Sequence, residues 1–229
     1  MNGPIRRAGS ARLGGSAAIG AALVLATGCT VAAGGGTSGS GSGFRPVAEP
    51  SAAATAAGGL AGLAVSGKDI AGYTVEETAA GERVERKDVS TDGACAPLGY
   101  ALAGAPVGEA KSTVARQAVG EAGTTDVTLG AYGGQDALAA MTALSDSADA
   151  CSKGFTVQVK GDERQVTAVV REVAPSGTDQ AMAFAVTTTS GGKKTLVKVV
   201  VLRKGDTLVQ LTAPEVPQAV VDAQLLKLT

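Results

Sequence analysis

Residues 180–212 read QAMAFAVTTTSGGKKTLVKVVVLRKGDTLVQLT, and this run decides the fold. Its apolar and β-branched residues form three segments of strand length, which the turn residues 190–192 and 204–206 separate. Connections this short join antiparallel neighbours, because a parallel crossover needs about a dozen residues or more. The run therefore predicts three consecutive strands of an antiparallel meander.

The first of these strands has one bulky face and one flat face. Met182, Phe184 and Val186 alternate with alanines, and successive side chains of a strand point to opposite sides of the sheet. The flat face favours the close approach of a helix. The alternative is that it floors a shallow apolar cleft beside a tyrosine. The candidate cleft residues are Tyr100, Tyr132, Ala183 and Ala185.

Similar patterns fill the chain upstream. Short apolar or β-branched runs predict strands at residues 73–77, 83–89, 113–119, 126–132, 155–160 and 164–173. The first two flank a turn and predict a hairpin. Helical spacing of apolar residues predicts helices over residues 95–103, over residues 135–150 and after Pro217. The sequence thus predicts an α+β fold: an antiparallel β-meander sheet with two to three helices packed on one face, and one disulfide.

The N-terminal residues have the pattern of an export signal. Three arginines and no acidic residue precede an apolar stretch at residues 17–26, which is too short to span a bilayer. Residues 25–29, Leu-Ala-Thr-Gly-Cys, resemble the lipobox of bacterial lipoproteins, whose cysteine is lipidated and becomes the first mature residue. The resemblance implies a signal peptide at residues 1–28, lipidation at Cys29, and a lipid-anchored protein on the extracytoplasmic side of the cell membrane.

The domain boundaries follow from composition. Residues 29–57 are rich in Gly, Ser and Ala and predict a flexible linker behind the lipidated cysteine. Residues 58–229 are long enough for a single α+β extracytoplasmic domain. With Cys29 assigned to lipid, Cys95 and Cys151 remain as a pair in an exported domain. A disulfide is favoured over two separate buried thiols.

Composition excludes several functions. The chain holds 20 Lys and Arg against 21 Asp and Glu without a basic cluster, and only 3% aromatic residues, so nucleic acid is not an expected partner. It holds no histidine, which removes Ser-His, Cys-His and histidine-metal chemistry. We expect no cofactor, no metal and no enzymatic activity.

Four pairs of residues are weaker catalytic candidates. Ser66 with Lys68 and Ser152 with Lys153 are better explained as loops. Glu76 with Glu77 is better explained as part of a strand, and Asp146 with Asp149 as a solvated helix face.

Three segments also resemble known proteins: residues 68–75 (KDIAGYTV), residues 94–98 (ACAPL), and residues 127–132 (VTLGAY) leading to Cys151. They are similar to uncharacterised actinobacterial, Streptomyces-type, surface lipoproteins. The order of strand, helix and cysteine distantly resembles the extracellular sensor domain of PknH-type receptor kinases, although this chain has one cysteine pair instead of two. The resemblance implies a non-catalytic ligand-binding or sensor-like domain. Its partner would be an unknown small molecule or envelope protein. The alternatives are a cell-envelope hydrolase using carboxylate or Ser-Lys chemistry, and a structural envelope protein.

The lipid anchor is directly testable. Cys29→Ala is expected to abolish incorporation of radioactive palmitate and to release the protein from the membrane fraction, because the acyl chains supply the membrane affinity. The matched control is the double variant Cys95→Ala with Cys151→Ala, which keeps Cys29 and retains the label. Unchanged labelling of Cys29→Ala would contradict the lipobox.

Overall fold

The computed structural model describes residues 57–229. The predicted signal peptide, the lipidation at Cys29 and nearly all of the linker lie outside the described residues, and they stay predictions. Four helices are described: α1 (Ala57–Leu63), α2 (Ala96–Ala103), α3 (Gly134–Ala150) and α4 (Gln218–Lys227). The strands are β1 (Thr74–Glu77), β2 (Val89–Thr91), β3 (Ser112–Gly120), β4 (Gly123–Ala131), β5 (Phe155–Val159), β6 (Asp162–Glu172), β7 (Gln180–Ser190), β8 (Lys193–Lys204) and β9 (Thr207–Ala213).

The strands form one antiparallel sheet in the order β1-β3-β4-β9-β8-β7-β6-β5-β2. Strands β5 to β9 pair consecutively, which confirms the predicted meander. Strand β9 then pairs with β4 of the β3–β4 hairpin, and β1 and β2 are the two edge strands. The α+β class is therefore confirmed.

The predicted hairpin of residues 73–77 with residues 83–89 does not form. Strand β1 pairs with β3 instead, and β2 pairs with β5 at the opposite edge of the sheet. Between them, Arg86–Asp88 form a 3-10 turn. The Glu85 N–H donates to the Asp88 carboxylate (3.0 Å) and the Asp88 N–H donates to the Glu85 carbonyl (2.9 Å). These local hydrogen bonds compete with strand pairing.

The sheet is covered on both faces. All seven residues of β9 are buried, and alternate residues of a strand point to opposite sides. Leu208 joins a core with α2 and α3, whereas Val209 and Leu211 join a second core with α1 and α4. Two helices pack on one face, as predicted, and the other two cover the face that the sequence leaves unassigned.

The disulfide links the ends of two helices in the first core. Cys95 immediately precedes α2 and Cys151 immediately follows α3, with their Cα atoms 5.8 Å apart. Leu98 of α2 and Met141 and Leu144 of α3 are fully buried beside them. The predicted pairing is confirmed, and it holds both helices over a common core.

Side chains of the sheet fix the end of α2. The Gln210 amide and the Thr212 hydroxyl both donate to the Ala101 carbonyl, at 2.9 and 3.3 Å, and the Thr128 hydroxyl donates to the Gly104 carbonyl at 3.0 Å. Gly104 has a left-handed backbone (φ 76°) and ends the helix. The chain that follows α2 is thereby held against β4 and β9.

A buried glutamine connects the two helices of the second core. The Gln224 side chain of α4 is fully buried; its oxygen accepts from the Val65 N–H (3.1 Å) and its amide donates to the Leu63 carbonyl (2.8 Å). The Leu63 carbonyl is one of the acceptors that the C-terminal end of α1 leaves without an intrahelical partner, and the Val65 N–H lies just beyond this helix. Between residues 57 and 229, no helix combines the length and apolar character needed to cross a membrane.

Removing the disulfide is expected to destabilise the domain strongly. Cys95→Ala with Cys151→Ala opens a crosslink between residues separated by 56 positions, which corresponds to about 4 kcal/mol in the chain-entropy model. The free energy of unfolding, measured by denaturant titration of the full chain, is expected to fall by that amount. Equal midpoints for the variant and the oxidised wild type would contradict this.

Candidate ligand-binding cleft

A cleft of about 610 Å³ opens beside the β3–β4 hairpin. Its walls are the segment of residues 78–86, which follows β1, and the segment of residues 103–110, which follows α2; its floor is formed by β3 and β4. The volume is within the range of about 300–1,000 Å³ that small-molecule sites occupy.

The floor consists of alternate residues of the hairpin. Ala115 lies opposite Thr128 and Gln117 lies opposite Asp126, and all four line the cleft together with Thr113. The Gln117 amide donates to the Asp126 carboxylate at 2.9 Å. This pair and the bonded Thr128 hydroxyl give the floor polar groups that are already fixed in place.

The cleft exists because the chain leaves the sheet after β1. The last bond from this strand to β3 is donated by the Thr78 N–H to the Ala115 carbonyl (3.0 Å). Among residues 57–229, the first residues of β3 have no strand partner on this edge, although they pair with β4 on the other edge. Residues 78–88 then run from one edge strand to the other. The Lys160 ammonium donates to the Gly81 and Glu82 carbonyls, both at 3.1 Å, and so holds this crossover from the β5–β6 turn.

Arg86 is the central side chain of the crossover wall. Its guanidinium carbon lies 4.7 Å from the centroid of the Tyr100 ring, which is a cation–π contact. One terminal nitrogen, Nη1, lies 3.5 Å from the Glu109 carboxylate, whose side chain is 93% exposed. The Nε atom is buried and has no hydrogen-bond partner among residues 57–229. An unsatisfied buried donor costs about 1–3 kcal/mol.

A buried tyrosine lies behind this wall. Tyr132 is 5% exposed, and burial raises its pKa to about 12, while the positive charge of Arg86 acts in the opposite direction. Two glycines make room for its ring. A Cβ at Gly130 would lie 2.7 Å from one ring carbon, and a Cβ at Gly108 would lie 3.2 Å from another. Substituting either glycine would therefore displace Tyr132.

The four candidate cleft residues are not brought together. Tyr100 and Tyr132 belong to the first core, with Arg86 beside both. Ala183 belongs to the second core, and Ala185 shares its side of β7. None of the four is among the described residues that line the 610 Å³ cleft.

The sequence does not predict the cleft walls, because residues 83–89 have the alternation of a strand. The dense charge of residues 82–88 was the available signal against one.

The weaker catalytic candidates have other contacts. The Ser66 hydroxyl donates to Asp69 at 2.7 Å, and Lys227 pairs with the same carboxylate at 3.0 Å. The pKa of Asp69 is lowered, first by the Ser66 hydrogen bond. The Ser152 hydroxyl donates to the Asp149 carbonyl at 3.0 Å. In the part of the chain that the structure describes, no three His, Cys, Asp or Glu side chains are grouped to hold a metal.

Comparisons with known proteins give distant structural similarity. No family model matches the chain, and no curated protein matches it. The chain is similar to the extracellular domain of PknH from Mycobacterium tuberculosis, with a TM-score of 0.44 and 12% identity, over 81% of this chain and 96% of that one. It is also similar to an uncharacterised protein of Mycobacterium smegmatis, the Rv0999 orthologue, with a TM-score of 0.38 and 14% identity, over 69% and 90%. Identities this low leave function to be argued from the cleft itself.

The Tyr132 phenol is expected to ionise near pH 12 in the folded protein. The pKa of Tyr132 in the folded protein lies above the ordinary value of 10.0. The neutral phenol therefore contributes fully to the stability of the folded state below pH 10, and this contribution is lost as the pH rises towards 12. Tyr132→Phe is expected to remove this step from an ultraviolet absorbance titration. Arg86→Gln, which removes the opposing charge, should move the step to higher pH. Persistence of the step in Tyr132→Phe would contradict the assignment.

Proposed function

We propose that this protein is a lipid-anchored extracytoplasmic lipoprotein whose folded domain binds a small ligand in the cleft without transforming it. The observation that carries the proposal is the cleft itself, a cavity of about 610 Å³ that both apolar and polar residues line. A concave site of this volume can enclose most of the surface of a small molecule.

The lining has the mixed chemistry of a binding site. Val84, Ala110 and Pro106 supply apolar surface, and the Thr113 hydroxyl and the arginines supply polar groups. Small-molecule sites combine a mostly apolar lining with a few placed polar groups that orient the ligand. The α2 end and the Gln117–Asp126 pair hold this lining in position before a ligand arrives.

The chemistry of the lining favours binding over catalysis. The described residues around the cleft include no serine, cysteine, lysine or histidine. The serines considered as nucleophiles, Ser66 and Ser152, donate elsewhere. The Asp126 carboxylate accepts from Gln117 and does not face a second carboxylate partner on the floor.

Sequence supports the location. The signal-like residues 1–28, Cys29 and the Gly- and Ser-rich linker match an exported and tethered domain. The Cys95–Cys151 disulfide fits an oxidising compartment outside the cytoplasm.

Blocking the cleft tests the binding role. Thr113 is exposed on the cleft floor, so the indole of Thr113→Trp is expected to occupy part of the cavity and obstruct a ligand without disturbing either core. The full chain is purified in detergent from its own host and analysed by native mass spectrometry. Wild type should retain a small molecule and Thr113→Trp should lose it.

The matched control is Thr195→Trp, an exposed strand threonine on β8 that does not line the cleft. This variant should retain the same molecule. A wild type that never carries a ligand, or equal retention by Thr113→Trp, would refute the binding role.

A further inference from the structure

We infer that the ligand is a short peptide in extended conformation, which adds a strand to the open edge of β3 and pairs with the backbone of Thr113. This inference rests on the proposed function, since it names the chemical class of ligand for the same cleft. When a peptide extends a sheet in this way, main-chain hydrogen bonds supply affinity and pockets for alternate side chains supply specificity.

The first support is the open edge of β3. The last bond that reaches it from the β1 side runs from the Thr78 N–H to the Ala115 carbonyl (3.0 Å). The chain turns just after this bond, where the Glu82 N–H donates to the Ala79 carbonyl (2.9 Å). Residues 112–114 consequently have no strand beside them on this edge within the described part of the chain.

Alternation along β3 places the backbone of Thr113 at this open edge. The N–H and C=O groups of one residue in an antiparallel pair point to the same neighbour, and those of the next residue point the opposite way. Ala115 bonds towards the β1 side, so Thr113 also points there, whereas Ser112 and Val114 point to β4. Neither backbone group of Thr113 has a partner on the open side among residues 57–229. One residue of an added strand would exchange two hydrogen bonds with them.

The second support is the cleft beside this edge. The side chains of Thr113 and Ala115 lie on its floor. Successive side chains of an added strand point to opposite sides of the sheet, so every second side chain of the peptide would enter the cavity of about 610 Å³. Val84, Pro106 and Ala110 supply apolar wall surface for these side chains.

Another open edge of the same sheet provides a contrast. Pairing of β8 with β9 begins at Lys198, so residues 193–197 have no strand on that side within the part that the structure describes. This edge begins with Lys193 and Lys194 and does not line the cleft. Lysines on an edge strand oppose pairing with another chain. Residues 112–114 carry no charge, and so their edge lacks this protection.

The charge of the lining favours a neutral or basic peptide. Four acidic and three basic residues line the cleft: Glu82, Glu85, Glu109 and Asp126 against Arg83, Arg86 and Arg116. Arg116 lies on the opposite face of β3 from Ala115 and Gln117, because side chains alternate along the strand. Charge complementarity therefore disfavours acidic side chains in the ligand.

A pool of blocked peptides tests the inference. The probes are acetylated and amidated pentapeptides in which each position is Ala, Val, Thr or Lys; Val and Thr favour strands, and Lys suits the acidic lining. The full chain in detergent is incubated with the pool, and bound members are identified by native mass spectrometry. At least one peptide should bind, and its affinity is then measured by calorimetry.

Backbone methylation separates strand pairing from other binding. The bound peptide is resynthesised with one amide nitrogen methylated at a time. Methylation of an amide that donates to β3 should weaken binding by about tenfold, because a hydrogen bond is lost. The amides on either side of it point away from β3 and should tolerate methylation. Binding should therefore weaken at alternate positions of the peptide.

Hydrogen exchange locates the pairing on β3. In the nitrogen-15-labelled wild type, the Thr113 N–H should exchange at least about tenfold more slowly when the peptide is bound, because it gains a partner. The Val114 N–H already points to β4, so its exchange should change much less.

A proline variant removes the donor from the open edge. Proline is tolerated where the N–H of a strand faces away from its neighbour, and Thr113→Pro should weaken the peptide by about tenfold. Lys194→Pro is the matched control, because Lys194 alternates in step with Lys198 and also faces an open edge, away from the cleft. It should bind as the wild type does. If Thr113→Pro does not fold, methylation and exchange in the wild type still decide.

Four outcomes would overturn the inference. They are no binding by any member of the pool, equal weakening by methylation at every amide, unchanged exchange of the Thr113 N–H in the bound state, or wild-type affinity in folded Thr113→Pro. If no peptide binds while the wild type retains another native molecule that Thr113→Trp loses, the proposed function stands and the peptide falls. If the wild type retains no molecule and binds no member of the pool, both fall.

Discussion

Burial of the central strands on both faces is the constraint on which the rest of the structure depends. Strand β9 is buried throughout, and Val199 to Leu202 of β8 are buried in succession. A strand in this state needs a helical layer on each side. Helices α2 and α3 supply one layer and α1 and α4 supply the other, and the disulfide and Gln224 hold each pair together.

The cleft is a consequence of how the two edges of this sheet are connected. Strand β1 lies at one edge and β2 at the other, so residues 78–88 must cross the molecule. The crossover leaves β3 where its pairing with β1 ends, and it passes α2 where Arg86 contacts Tyr100. Because α2 is fixed to the sheet through Ala101, contacts of the core help to maintain the space between the crossover and the hairpin.

The sequence predicts the sheet better than the site, for a physical reason. The alternation of β7 and the turns of the meander are local signals, and the compartment and cysteine parity predict the disulfide. Period-two alternation shows that Ala183 and Ala185 share a face, but it does not show which helices cover that face. Residues 83–89 alternate like a strand, and only contacts with distant residues, such as Tyr100 and Lys160, hold them as a crossover. The cleft depends on these long-range contacts, so the local sequence pattern does not predict it.

Arg86 connects the crossover to the first core through its contact with Tyr100. In the same wall, the Arg83 Nε donates to the Thr78 carbonyl at 2.9 Å, whereas the buried Nε of Arg86 has no such partner among residues 57–229. The Arg86 guanidinium instead lies over the Tyr100 ring, and its Nη1 atom is 3.5 Å from the exposed Glu109 carboxylate. A buried donor without a partner among residues 57–229 costs free energy in the folded state. The cation–π contact with Tyr100 offsets part of this cost, and it is the contact that holds the crossover wall against α2.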